Sequence, residues 1–124
     1  MTVGLWCLFG MMFYPFVFAA YAKSSAPGYD NRIPREFLSG LSGTAQRANW
    51  VQMNHFEVYP PFAAAVLTAH HWGAPQTKID VLALGFVVFR IIYGVFYLMD
   101  RHIERSVSWF LAFGCVIGLF LISV

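Results

Sequence analysis

Apolar residues run along this chain in long blocks rather than in the short alternations of β-strands, and compact polar stretches separate the blocks. The first extends from Val3 to Ala22 without a charged residue, the second from about Arg47 to His70, the third from about Ile79 to Met99, and the fourth from about Val107 to Val124. A helix rising about 1.5 Å per residue needs roughly 20 apolar residues to cross a hydrocarbon core of about 30 Å. The pattern therefore predicts four transmembrane helices and an all-α fold, an integral membrane four-helix bundle forming a single domain over residues 1–124. Pro15, Pro60 and Pro61 fall inside the blocks. Each removes a backbone donor, a loss that neighbouring helices make good inside a bundle, so kinks are expected rather than breaks. The first block lacks a basic stretch ahead of it and a small-residue cleavage pattern, and reads as a retained span rather than a signal peptide.

Composition strengthens the membrane reading: 59% of residues are hydrophobic, 19% aromatic and only 11% charged, far from the balance of a soluble domain. The basic residues set an expected orientation. Lys23, Arg32, Arg35 and Arg47 flank the first loop and Arg101 and Arg105 the third, against Lys78 alone in the second. Loops one and three are expected in the cytoplasm and both termini on the opposite side. A net charge of +2, scattered along the chain, gives no footprint for nucleic acid. Cys7 and Cys115 lie in apolar blocks without a CxxC or a His cluster and read as buried thiols. Neighbours on a helix point about 100° apart, so His70 and His71 read as an interfacial pair rather than chelators, and no metal site is predicted. The first loop, KSSAPGYDNRIPREFLSGLSG, has the Pro, Gly, Ser and Asn content of a solvated connection, and Ser42 or Thr44 is placed to cap a second helix starting in the cytoplasm.

That second helix carries polar groups into the membrane. Arg47, Asn54 and Glu57 fall within a sector of about 80° on a helical wheel. On the third helix Arg90, Tyr93, Tyr97 and Arg101 also share one face. If Arg47 and Arg101 mark the same boundary, antiparallel packing sets Glu57 level with about Ile91, within reach of Arg90. An unpaired charge at that depth costs roughly 2.5 to 3.5 kcal/mol on insertion scales, so a Glu57–Arg90 ion pair is predicted. A helix-locking pair with supporting Asn and Tyr is one reading of the stripe. Arg47, Asn54, Glu57, Arg90, Tyr93, Tyr97 and Arg105 together exceed what one lock requires, and they point to a polar pocket.

The run RANWVQMNHFEVYPPFAAAVL, Arg47 to Leu67, resembles the helix-two signature of the MAPEG family, the membrane-associated proteins in eicosanoid and glutathione metabolism, in its R-A-x5-N-x2-E-x2-P bacterial form. FRIIYGVFY, Phe89 to Tyr97, with the later RSV, Arg105 to Val107, resembles the family's helix-three signature and the arginine that follows it. The resemblance covers essentially the whole chain. It implies a homotrimer of four-helix protomers in the lipid bilayer, with glutathione as cosubstrate bound between subunits near the cytoplasmic face. By position, Asn54, Glu57, Arg90, Tyr93 and Tyr97 would line that site, Arg47 would help on a carboxylate, and Arg105 would stand by the thiol as the catalytic residue. The implied activity is a glutathione-dependent transferase or peroxidase acting on a lipophilic small molecule that arrives from the bilayer. Two other classes fit parts of the pattern. A small exporter would use Glu57 as a proton-coupled carboxylate, and a non-catalytic scaffold would need only the Glu57–Arg90 lock.

Overall fold

The computed structural model describes residues 1–124, and its regular elements are all helices. They are α1 (Val3–Ser24), α2 (Pro34–Ser39), α3 (Gly43–His71), α4 (Gln76–Leu98) and α5 (His102–Leu121). The four long helices alternate in direction. One end of the bundle, the loop end, holds α2 and the α4–α5 turn; the other, the terminal end, holds both chain termini and the α3–α4 turn. α1, α4 and α5 are long and apolar enough to cross a membrane. α3 has 29 residues and is about 43 Å long, and its polar stripe keeps it from matching their sustained hydropathy. Large apolar side chains such as Trp6, Phe13, Val88 and Phe110 face outward, as expected where lipid or another protein is the solvent.

The core is thin and close-packed. Phe62 of α3 lies flat on Phe86 of α4, with ring centroids 3.8 Å apart. Small buried residues, Ala65 and Ala69 on α3, Ala83 on α4 and Ala112 on α5, let the backbones approach closely around that stack. Gly94 serves the same purpose where α1 crosses α4, since a Cβ there would run into the Tyr14 hydroxyl and the Phe18 ring.

Both proline-bearing helices run unbroken through their prolines. In α1 the repair is visible. Pro15 cannot donate to the carbonyl of Met11, one turn back, and that oxygen lies 2.9 Å from Nε2 of His55 on α3. A carbonyl only accepts, so Nε2 carries the proton and the wholly buried imidazole takes the place of the missing amide. Tyr59 adds a second tie from α3 to the backbone of α1, its hydroxyl donating to the Leu8 carbonyl at 3.0 Å.

Three local expectations are corrected. The first loop is not wholly irregular: Pro34 opens α2 at the position that suits proline's fixed φ, and Leu38 and Leu41 pack with Ala22 and Ala48 in a small second core. Ser42 occupies the N-cap position of α3, but its side chain makes no capping bond, and Thr44 accepts from Arg47 instead. α5 begins at His102, ahead of its apolar block, because the preceding turn is tight. Asp100 there adopts the left-handed conformation at φ 59°, and the amides of Asp100 and Arg101 return to the carbonyls of Tyr97 and Phe96. That is a Schellman closure with Asp in the usual glycine position, and it fixes the rotation at which α5 leaves α4.

Candidate functional site

Arg90 sits in α4 with no exposed surface at all. The sequence predicts Glu57 as its partner, and the structure does not pair them. Nη1 of Arg90 donates to Oδ1 of Asn54 at 3.0 Å, and Nδ2 of Asn54 donates to Oε2 of Glu57 at 3.2 Å, so an amide stands between the two charges. The reason lies in the width of the stripe. Asn54 faces α4 from the middle of the sector, whereas Glu57 lies at its edge and is exposed. The chain's ion pairs are elsewhere, Arg32 with Asp30 and Arg101 with Glu104, and neither involves Arg90 or Arg105.

Aromatic rings continue the series toward the loop end. The Arg90 guanidinium lies 4.2 Å from the centroid of the Tyr93 ring, Tyr93 meets Tyr97 edge to face at 5.5 Å, and the Arg105 guanidinium covers the other end of the pair, 4.5 Å from the Tyr97 centroid. Glu57, Asn54, Arg90, Tyr93, Tyr97 and Arg105 thus form one connected series across α3, α4 and the first turn of α5. The tight turn at Asp100 is what brings Arg105 back over Tyr97. A groove of about 380 Å³ opens in front of this series, walled by Asn54, Glu57, Tyr93 and Tyr97 with Trp50 and Met53. A smaller cavity of about 200 Å³ continues from Tyr93 and Tyr97 past Arg105 to Trp109. Arg90 stands behind the groove wall rather than in it.

Arg47 is the member of the predicted set that the structure holds apart. Its Nε and Nη2 donate to the Leu98 carbonyl at 3.3 and 3.2 Å, and Nη2 also to Thr44 at 3.1 Å. It closes the C-terminal end of α4, where carbonyls lack helical partners and the dipole favours a cation. Trp50 and Met53 were missed as groove residues. Their signal is present in the spacing, since Trp50 precedes Asn54 by one turn, but an aromatic in an apolar run looks like lipid-facing surface.

The groove's unfilled chemistry is concentrated on Arg90. Its Nε and Nη2 are buried and have no hydrogen-bond partner in the protomer. A buried cation so placed, softened only by one amide and one ring face, puts a positive charge behind the groove wall. Glu57 at one rim and Arg105 at the other add an exposed carboxylate and a cation free of any acid.

The MAPEG family model matches residues 1–124. The chain belongs to the MAPEG family. No curated protein and no solved structure matches it. Both segments that carry the MAPEG resemblance, on α3 and α4, are the ones that meet at the Asn54–Arg90 contact. With three span-capable helices and membership of this family, the protein is a multi-pass integral membrane protein.

Proposed function

We propose that the protein is a membrane-bound glutathione-dependent transferase or peroxidase, assembled as a homotrimer, with glutathione held at subunit interfaces on the loop end and that end facing the cytoplasm. The observation that carries this reading is the buried Arg90 with two unpaired donors behind a groove rimmed by Glu57 and Arg105. Glutathione presents two carboxylates, one ammonium and two peptide bonds. Such a ligand calls for cations, a carboxylate and amide or phenol groups within one groove, which is the set present here. Glu57 would take the ammonium, Asn54 and the tyrosine hydroxyls the peptide groups, and the wall in front of the Arg90 charge a carboxylate. Arg105 would stand at the thiol, where a guanidinium lowers the thiol pKa and raises the fraction of reacting thiolate. The electrophile would enter from the bilayer through the apolar side of the groove.

The rival readings lose the feature each needs. A proton-coupled exporter requires an enclosed carboxylate, and Glu57 is exposed; a scaffold built on a Glu57–Arg90 lock requires an ion pair that Asn54 interrupts. Thermal unfolding of the detergent-purified protein with added reduced glutathione tests the proposal. A midpoint that rises with glutathione concentration is expected, by the mass-action stabilisation any native-state ligand confers. An unmoved midpoint at millimolar glutathione defeats it. Native mass spectrometry in mild detergent tests the assembly: a trimer is expected, and a monomer or dimer overturns it.

A further inference from the structure

α4 ends in a carbonyl that its own turn does not serve. The amides of Met99, Asp100 and Arg101 return to the carbonyls of Val95, Tyr97 and Phe96, and no amide returns to that of Leu98. Arg47, in the first turns of α3, meets it instead with both Nε and Nη2, while Thr44, one turn earlier, accepts from Nη2 and steadies the guanidinium. A planar fork with two donors on one oxygen fixes direction as well as distance. Trp50, the next turn of α3, sets its ring against Tyr97 with centroids 6.3 Å apart. The last two residues of α4 are thus both held from α3, Tyr97 by its ring and Leu98 by its backbone.

What this end controls is Arg105. α5 has no buried residue before Ser108, so its first turn is not seated in the core. Arg105 makes no ion pair, and its guanidinium stands 4.5 Å from the Tyr97 centroid because the backbone delivers it there. Successive helical positions differ by about 100°, so a turn that released α5 by one position would carry Arg105 off the ring. We infer that Arg47 is a positioning residue for Arg105: by clasping the Leu98 carbonyl it fixes the α4–α5 turn from α3 and so sets the guanidinium that faces the thiol. This deepens the glutathione reading and rests on it. Arg47 touches neither the thiol nor a carboxylate of the tripeptide; it acts through the turn.

The test uses the intact protein in detergent and four forms of it: the parent, Arg47→Met, Arg105→Ala and the double variant. Glutathione affinity is measured by calorimetry, and the titration of the bound thiol by its ultraviolet thiolate absorbance. A merely structural tie would lower the melting midpoint and leave that titration where it was. The expected result for Arg47→Met is glutathione affinity within about tenfold of the parent and a bound thiol that titrates at higher pH, toward the value in Arg105→Ala. The double variant should titrate no higher than Arg105→Ala alone, because Arg47 acts only through Arg105. Should Arg47→Met not fold, Thr44→Val, which removes only the acceptor that steadies Nη2, is expected to move the titration the same way by a smaller step. An unmoved titration in whichever variant folds, additive shifts in the double variant, or a loss of affinity beyond tenfold, which would make Arg47 a carboxylate ligand, overturns the inference while leaving the glutathione site standing. If the parent protein binds no glutathione, the reading beneath this inference fails and takes it down as well.

Discussion

Polar side chains are gathered at both ends of the bundle, and the two gatherings are built differently. Around Gly4, at the terminal end, the network is closed. Asp80 accepts the Gly4 amide and the Gln76 side chain, each at 2.8 Å, while Nδ1 of His70 lies 2.8 Å from the Val66 carbonyl and Nε2 lies 2.9 Å from the Thr2 hydroxyl. The Thr2 hydroxyl in turn accepts the Leu5 amide and caps α1. These groups pin the start of α1 to α3 and α4, and the closeness of Ile79, Asp80 and His70 leaves little room for a Cβ at Gly4. At the loop end, Arg90 keeps two buried donors unpaired and Glu57 and Arg105 find no charge of opposite sign. A closed network holds helices together; an open one of similar size is arranged for something that is not part of the protomer.

The sharpest break in that comparison is Arg90→Met. It removes the positive charge behind the groove wall and is expected to weaken glutathione binding by about 100-fold, roughly 2.7 kcal/mol, as seen when a buried charge loses its partner. Without ligand the same variant should melt no lower than the parent, because an uncompensated buried cation contributes little to stability and an apolar replacement of similar length often adds to it. Calorimetric titration and unfolding, run on one preparation, separate the two effects. Arg105→Ala comes next. Glutathione binding should stay within about tenfold, a loss of no more than roughly 1.4 kcal/mol, while the conjugation rate falls much further and the ultraviolet thiolate absorbance of bound glutathione shifts to higher pH. Unchanged absorbance would reduce Arg105 to a membrane-boundary anchor.

At the closed end the expected outcome reverses. Asp80→Ala strands the buried Gly4 amide, so a loss of about 1 to 3 kcal/mol of stability is expected with glutathione affinity untouched. Were binding to fall as well, the separation of the two ends would be wrong.

The stripe that separates these roles was partly readable from the chain itself. The four long helices were legible because apolar blocks of membrane length admit few alternatives, and the faces of α3 and α4 because a period of 3.6 places residues on a wheel. What the wheel cannot give is which edge of a stripe turns toward the neighbour. That is why Glu57 and Arg90 looked like partners when Asn54 stands between them. The partners of backbone acceptors were invisible for a related reason. Arg47 answers to the Leu98 carbonyl at a helix end that no residue type marks, and Pro15 announces that the Met11 carbonyl lacks its amide without saying that His55 will serve it. α2 escaped because six residues are too few to show a period.

Two smaller predictions follow from those corrections. Glu57→Gln should leave the melting midpoint nearly unchanged, within about 0.5 kcal/mol, since the side chain is exposed and the amide can still accept from Asn54. A drop of several kcal/mol would restore the direct ion pair. The smallest effect belongs to Asp30 in the first loop. Bonds from the Arg32 backbone amide and then its guanidinium hold the Asp30 carboxyl below the ordinary carboxylate range. A lowered folded-state pKa means the contact's contribution is complete above about pH 4, the unfolded value, and is lost as pH falls through the lower folded one. Hydrogen exchange at the Arg32 amide should accelerate, beyond the intrinsic pH trend, only in that acidic window.

The central claim, that the loop end is left open for a ligand bearing carboxylates, is tested most directly by titrating the parent protein calorimetrically with reduced glutathione and, separately, with its diethyl ester. Saturable binding of the free tripeptide is expected, with at least about tenfold weaker binding of the ester, in which both carboxylates are masked. Equal binding of the two, or binding of neither, would contradict the claim.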